Sequence, residues 1–226
     1  MPKVTDRHGR PVSGQMPGLV EALVVDNVDP SQLGRVKVKF PTLPAPAGGG
    51  GSDMPESYWA RLSMPMAGRE RGWMTIPEIG DEVLVSFMHG DFNYAIVLGS
   101  LYNGVDTPPY ANEDGDNNLR VFQSRSGHRV TFDDTDGAER IELISHNEEI
   151  RVIWDSAEKV LSIYSGKDII MEAKETISMK CKDFVLGADM SISMEAKQKA
   201  DLKAGQALTV NGGKMLVLTS KMTKIN

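Results

Sequence analysis

The sequence predicts an all-β protein with a small Greek-key barrel near its N-terminus and an extended β needle in its last third. Short stretches of alternating apolar and polar residues, separated by turn formers, predict the barrel. A much longer alternation after Phe184 predicts the needle. The barrel region shows no convincing run with the i, i+3, i+4, i+7 spacing of apolar residues that marks an amphipathic helix.

Composition narrows the possible functions. The 226 residues carry a formal net charge of −6, which disfavours a nucleic acid as partner. Cys181 is the only cysteine, so no disulfide can form within the chain. The predicted N-terminal extension, residues 1–17, lacks the apolar core of a signal peptide, and no run approaches the roughly 18 apolar residues of a membrane span. We therefore expect a protein that is made in the cytoplasm and binds no cofactor.

Residues 18–104 are predicted to form the barrel domain. Turn formers such as Asp29-Pro30 separate its strands, and Pro41 ends the most regular of them. The loop 41–56 is too rich in proline and glycine to hold regular structure. Five or so strands without a convincing helix fit a small Greek-key barrel. The predicted strands are Leu19–Val25, Gly34–Phe40, Tyr58–Ser63, Met74–Pro77, Asp81–Phe87 and Tyr94–Leu101.

Residues 105–119 are predicted to be a linker, because they contain Pro108-Pro109 and an acidic run at 112–118. The following residues, 120–226, are predicted to form the needle domain. Its first part consists of short β-prone segments that recur about every 8–12 residues, the spacing of consecutive short strands. These segments are 120–122, 129–132, 140–144, 150–154 and 160–164.

From Phe184 to Val210 the even positions are mainly apolar and the odd positions mainly polar. A helix is a competing interpretation, because Met, Ala, Lys, Glu and Gln are good helix formers. This alternation would scatter the apolar residues around a helix, so the period favours an extended chain. Eight residues are therefore predicted to face inward: Phe184, Leu186, Met190, Ile192, Met194, Leu202, Leu208 and Val210.

An isolated strand of this length would expose both its apolar edge and its unpaired backbone groups. Three copies wound around one axis would bury the apolar side chains and pair the strand edges, so the pattern predicts a homotrimer. The small and flexible residues Ala, Met and Leu suit a narrow axis, and no aromatic residue follows Phe184. An ordinary β-sandwich with unusually regular alternation is the alternative.

Three longer motifs are specific to one family. Residues 29–41 are DPSQLGRVKVKFP, residues 96–104 are IVLGSLYNG, and the run 124–143 begins SRSGHRVTFDD. In this order they resemble the opening of the OB-fold barrel, its closing strand and the entry into the needle in the phage baseplate assembly protein V and VgrG-type spike proteins of contractile injection systems. The resemblance covers most of residues 18–226 in the family's order.

The resemblance implies a homotrimer in which N-terminal OB-fold barrels precede an intertwined triple-stranded β-helix. Such a spike attaches to a baseplate hub protein and pierces the target cell envelope when the sheath contracts. A PAAR-type tip protein at the needle end and, in some members, effector cargo are further implied partners. The protein would be assembled in the bacterial cytoplasm as part of a phage tail or an extracellular injection particle. The chain resembles the short form of the family, without the hub region, a lysozyme domain or a terminal histidine motif for iron.

The sequence contains no HExxH, GxSxG or phosphate-loop motif, so we expect neither enzymatic activity nor a bound metal. His89 is interpreted as a turn residue, His128 as a contact between barrel and needle, and Cys181 as a buried structural thiol. Since an OB-fold often binds oligosaccharides or single-stranded nucleic acid, a binding module with a β-rich oligomerisation tail is the alternative function. The local cluster of basic and aromatic residues, Arg69, Arg71 and Trp73, is interpreted as a loop or an interface.

Overall fold

The computed structural model describes residues 18–43 and 54–222. These residues contain twelve strands and one 3₁₀ turn but no α-helix, which confirms the all-β prediction. Accordingly, no helix in the described part of the chain is long and apolar enough to cross a membrane. The chain divides into two units, of which the first ends at Ile169 and the second begins at Ile170. The predicted N-terminal extension 1–17 and most of the loop 41–56 lie outside the described residues.

The first unit begins with seven strands: β1 (Leu19–Asp26), β2 (Lys37–Lys39), β3 (Arg61–Leu62), β4 (Ala67–Gly68), β5 (Arg71–Gly72), β6 (Glu82–Phe87) and β7 (Ala95–Ser100). Five of them form one sheet in the order β2-β1-β6-β7-β3. β3 runs parallel to β7, and all other neighbours in this sheet are antiparallel. Isolated bridges from Val36 to Ala60 and from Lys39 to Glu56 connect the two edges, so the sheet closes on itself as a barrel.

Alternation builds the core of this barrel. Val36, Val38 and Phe40 are completely buried, whereas the lysines between them remain partly exposed. The Phe40 ring lies 5.6 Å from the Phe87 ring and 5.2 Å from the Phe92 ring, measured between centroids. Contacts of this kind stabilise a core beyond the burial of apolar area alone. The apolar positions that the sequence predicted for the strand 34–40 are therefore the core-facing ones.

The segment between β3 and β6 departs from the prediction. Met74–Pro77, which was predicted as a strand, pairs with no other strand, so that prediction was wrong. Pro77 has no N–H to donate to a strand ladder. Its carbonyl accepts a hydrogen bond of 3.1 Å from the Asn27 side chain rather than from a neighbouring strand. β4 and β5 form a short hairpin there, with Glu70 at a φ of 53° in its turn.

The rest of the first unit is an antiparallel sheet of five strands in chain order, which we call the meander. Each of the five short segments predicted after the linker lies within one of its strands, so this part of the prediction is confirmed. Two of its four turns contain Gly127 and Gly137 at φ values of 92° and 73°, a region that favours glycine. The strands are β8 (Leu119–Gln123), β9 (Arg129–Asp133), β10 (Arg140–Ile144), β11 (Ile150–Asp155) and β12 (Val160–Ser165).

The second unit, which we call the tail, has no strand of its own among its described residues, 170–222, and all of them are exposed. Its backbone bends at intervals of seven or eight residues. Between Phe184 and Val210 the interval is eight, which keeps the same parity from one extended segment to the next, so the apolar–polar alternation continues across these bends. The bends lie at 174–175, 182, 189–190, 197–198, 205–206 and 221, with a turn at 213–214.

Candidate interaction surfaces

The motif at residues 29–41 folds around one carboxylate. The Asp29 side chain is only 2% exposed, and it accepts hydrogen bonds of 2.7 and 2.8 Å from the Arg35 guanidinium. It also accepts hydrogen bonds from the backbone N–H groups of Ser31 and Leu33. The bond from Arg35 holds the pKa of Asp29 well below its ordinary range. Asp29 therefore stays ionised and fixes the β1–β2 loop, in which Gly34 has a φ of 67°.

One face of the meander consists of apolar side chains. Residues directly opposite each other on neighbouring strands share a face, and the register places Ile141 opposite both Phe132 and Trp154. These three residues are 36, 47 and 41% exposed, respectively. We call this surface the apolar face; it comprises Phe122, Val130, Phe132, Ile141, Leu143, Val152, Trp154, Leu161 and Ile163.

The opposite face of the meander carries most of its charges. Arg140 pairs with Asp133 at 3.3 Å and with Glu142 at 3.1 Å. The Thr135 hydroxyl, the Thr135 backbone N–H and Arg140 together hold the pKa of Asp133 below its ordinary value. Asp133 is buried, whereas most of the apolar face is exposed. The usual arrangement of a half-buried antiparallel sheet, apolar inside and polar outside, is thus inverted in the single chain.

The eight residues that were predicted to face inward all lie in the tail. Their exposed fractions in the single chain range from 53% at Ile192 to 97% at Met190. Their shared parity agrees with one common face of an extended chain. The inward orientation itself stays a prediction, because nothing in the single chain covers these residues.

The histidines and the cysteine lie in turns and in the tail. His89 has a φ of 53° in the 3₁₀ turn Met88–Gly90 between β6 and β7, as predicted for a turn residue. His128 accepts a 3.3 Å hydrogen bond at Nδ1 from the backbone N–H of His146, so it is a contact within the meander rather than between barrel and needle. Cys181 is exposed, and its predicted burial is not seen in the single chain. The described residues contain no group of three or more His, Cys, Asp or Glu side chains that could hold a metal ion.

In the local cluster of Arg69, Arg71 and Trp73, the Trp73 ring packs edge-on against Phe122, with 6.0 Å between the ring centroids. Since Phe122 belongs to β8, this contact joins the barrel domain to the meander. The interpretation of Trp73 as an interface residue agrees with this contact.

A cleft on one side of the barrel was not predicted from the sequence. Its lining includes Arg35, Tyr58, Trp59, Arg61 and Tyr94, which come from three segments that are distant in sequence. No motif or periodicity connects these segments. Only closure of the barrel brings them together, so the sequence carried no signal for the cleft beyond the strand and turn boundaries.

Comparison with known proteins agrees with this architecture. Residues 20–102 match the family described as the type VI secretion system/phage-baseplate injector OB domain. The chain is 30% identical over 170 residues to the actin cross-linking toxin VgrG1 of Vibrio cholerae, an alignment that covers 66% of this chain and 15% of the toxin. It is 31% identical over 149 residues to the type VI secretion system spike protein VgrG3 of Vibrio cholerae, covering 64% and 14%. It is 32% identical over 136 residues to the spike protein VgrG1a of Pseudomonas aeruginosa, covering 56% and 20%.

The matched segment coincides with the closed barrel. It contains the sheet β2-β1-β6-β7-β3 and the loop that Asp29 organises. The alignments span between 14 and 20% of the length of these three relatives. The resemblance inferred from the motifs is confirmed. Residues 20–102 therefore match the injector OB family of type VI secretion systems and phage baseplates, and the chain is similar to the VgrG-type spike proteins.

Proposed function

We propose that this chain is the structural central spike of a contractile injection system and that it acts as a homotrimer. The observation that carries the proposal is the uncovered apolar face of the meander. Seven of its nine residues are between 36 and 59% exposed. A large aromatic side chain has roughly 150–250 Å² of surface, so the face presents on the order of 600 Å² of apolar surface. This value is at the upper end of what monomeric proteins expose in one patch.

Other copies of this chain are the partner that fits the apolar face. The charged side chain in register with the face, Arg120 on the edge strand β8, already pairs with Asp134 at 3.2 Å. The partner surface must therefore be apolar too, and every copy of the chain offers such a surface. The edge strands β8 and β12 also leave backbone groups available to a neighbouring copy. Together the face and edges approach the roughly 800 Å² per partner that a standard interface buries.

The tail supports the same assembly. It bends about every eight residues, a spacing that would keep the even-numbered apolar residues on one side of an extended chain. Ala188, Ala196 and Ala204 recur at intervals of eight, and such small residues suit a position close to an axis. Three tails wound around one axis would form the intertwined triple-stranded β-helix, with residues 120–226 as the needle domain. The proposed trimer core of the tail comprises Phe184, Leu186, Met190, Ile192, Met194, Leu202, Leu208 and Val210.

The role of the trimer in the injection particle is proposed from the resemblance to the spike protein family. The trimer would attach to a baseplate hub protein and pierce the target cell envelope when the sheath contracts. A PAAR-type protein would cap the needle end, and effector cargo would travel with it. The needle would be assembled in the bacterial cytoplasm as part of a phage tail or an extracellular injection particle. The role proposed for this chain is mechanical and involves no catalysis.

Replacing Ile163 with Asp tests the assembly. Ile163 is 59% exposed, so Ile163→Asp buries no charge in a monomer but would bury several in the proposed trimer. We expect light scattering to give three times the chain mass of 24.7 kDa for the wild-type protein and mostly monomer for Ile163→Asp. Ser162→Asp is the matched control, because the adjacent residue of β12 points to the opposite face.

Two results would contradict the proposal. One is a monomeric wild-type protein. The other is an Ile163→Asp variant that assembles as completely as Ser162→Asp does.

A further inference from the structure

The cleft on one side of the barrel has the size and the position of a ligand-binding site. It has a volume of about 580 Å³ and opens where the β1–β2 loop, the start of β3 and the β6–β7 turn meet. Small-ligand sites have volumes of roughly 300–1,000 Å³. In OB-folds as a class, the surface of the second and third barrel strands and the loops 1–2 and 4–5 bind oligonucleotides and oligosaccharides. The five barrel strands here are β1, β2, β3, β6 and β7 in chain order, so the cleft lies at that surface.

Three aromatic side chains form the apolar part of the cleft. Tyr58 and Tyr94 are 69 and 63% exposed, and Trp59 is partly buried. The Lys37 ammonium lies 5.1 Å from the centre of the Trp59 ring, a cation–π contact that holds this ring in place. The carbonyl of Tyr94 accepts a 3.0 Å hydrogen bond from the Met88 N–H, which fixes the end of the β6–β7 turn. The cleft therefore presents three aromatic rings, of which that of Trp59 is held by a side-chain contact.

The cleft also contains a cation that is available to a ligand. Arg35 is engaged by Asp29 through two short hydrogen bonds. Arg61 is exposed, and its guanidinium forms no ion pair or hydrogen bond with any residue that the structure describes. A free guanidinium can bind a carboxylate through two parallel hydrogen bonds. Arg61 thus gives the cleft a preference for an anionic group.

We infer that this cleft binds an oligosaccharide that carries a carboxylate. The aromatic rings contact the apolar faces of the sugar rings, Arg61 binds the carboxylate, and the Asn93 side chain and tyrosine hydroxyls reach the sugar hydroxyls. Single-stranded nucleic acid matches the site less well, because its binding requires a groove with a series of cations, whereas the chain has a net charge of −6. The inference goes beyond the proposed function, since a purely mechanical needle requires no ligand.

Titration of the full chain with trigalacturonic acid, followed by tryptophan fluorescence, tests this inference. Maltotriose has the same number of sugar rings without carboxylates, and a short oligodeoxythymidylate probes nucleic acid binding. We expect saturable binding of trigalacturonic acid that Arg61→Gln weakens about tenfold, because a charge-assisted hydrogen-bond pair is lost. The weaker binding of maltotriose should be the same in Arg61→Gln. Arg71→Gln is the matched control, because it removes an exposed positive charge on β5, away from the lining of the cleft.

Three results would overturn the inference: no saturable binding of trigalacturonic acid, the same affinity in Arg61→Gln as in the wild type, or tighter binding of the oligonucleotide. The mass of each sample separates this test from the proposed function. A trimer that binds no acidic sugar contradicts only the cleft, whereas a monomer that binds it contradicts only the proposed assembly.

Discussion

Asp29 organises the β1–β2 loop, which itself buries little apolar surface. Val28 and Leu33, which flank this turn, are 76 and 69% exposed, so hydrophobic burial contributes little to holding it. The hydrogen bonds to the Asp29 carboxylate hold it instead. Because that side chain is almost completely buried, water cannot readily replace a partner that is removed.

Asp29→Asn should lower the thermal unfolding midpoint by several degrees at neutral pH, because the amide accepts fewer hydrogen bonds and forms no ion pair with Arg35. Since the pKa of Asp29 in the folded protein lies below its ordinary value of about 4, the carboxylate's contribution is complete above that value. It is lost as the pH falls toward the folded-state pKa. Thermal unfolding at a series of pH values should therefore show a constant difference between the two proteins above about pH 5 and a smaller one below about pH 4.

Asp136→Asn is the control for this measurement, because Asp136 is an exposed residue in a turn of the meander. It should leave the midpoint unchanged at each pH. A difference between wild type and Asp29→Asn that is as large near pH 2 as at neutral pH would show that the charge of Asp29 is not what stabilises the loop.

Among the elements, those with a regular alternation of apolar and polar residues were the predictable ones. The strand 34–40 and the five short segments of the meander follow this rule. β4 and β5 were missed because each has only two residues, one of them a glycine, so neither can show a period. Met74–Pro77 was predicted as a strand, but Pro77 has no N–H to donate to a ladder.

Phe40→Ala tests the barrel core. Phe40 is completely buried between the rings of Phe87 and Phe92, so truncation leaves a cavity and should lower the free energy of unfolding by about 3–5 kcal/mol. Unfolding in guanidinium chloride measures this loss. Tyr102→Ala, which removes a ring that is 69% exposed, should cost less than about 1 kcal/mol. Equal losses in the two variants would contradict the assignment of the core.

For the whole molecule, the main physical question is what covers the apolar surface that the single chain leaves exposed. The meander exposes its apolar face, and the tail exposes its even-numbered apolar residues. An extended chain cannot bury one of its own faces without a partner strand or sheet. Both surfaces are therefore explained if each of them forms one side of an interface between copies of this chain.

Met194→Asp should prevent or weaken assembly, because three carboxylates would meet near one axis without partners. Resistance of the trimer to SDS or guanidinium chloride is the measurement. Lys197→Glu is the control: it also changes a charge in the tail but lies on the predicted outer parity, so its trimer should be as resistant as the wild type. Trimers of Met194→Asp with wild-type resistance would mean that the even positions do not face inward.

The sequence by itself determined the β class, most strand positions, the resemblance to injector spike proteins and the parity of the tail. Each of these features depends on the order of residues within a short stretch of the chain, because alternation, turn residues and motifs are all local patterns. The tertiary structure decided closure of the barrel, the inversion of the meander's two faces, and the meeting of Trp59, Arg61 and Tyr94 at one cleft. Those features depend on strand register and on contacts between distant segments, and a one-residue change of register would place every side chain of a strand on the other face.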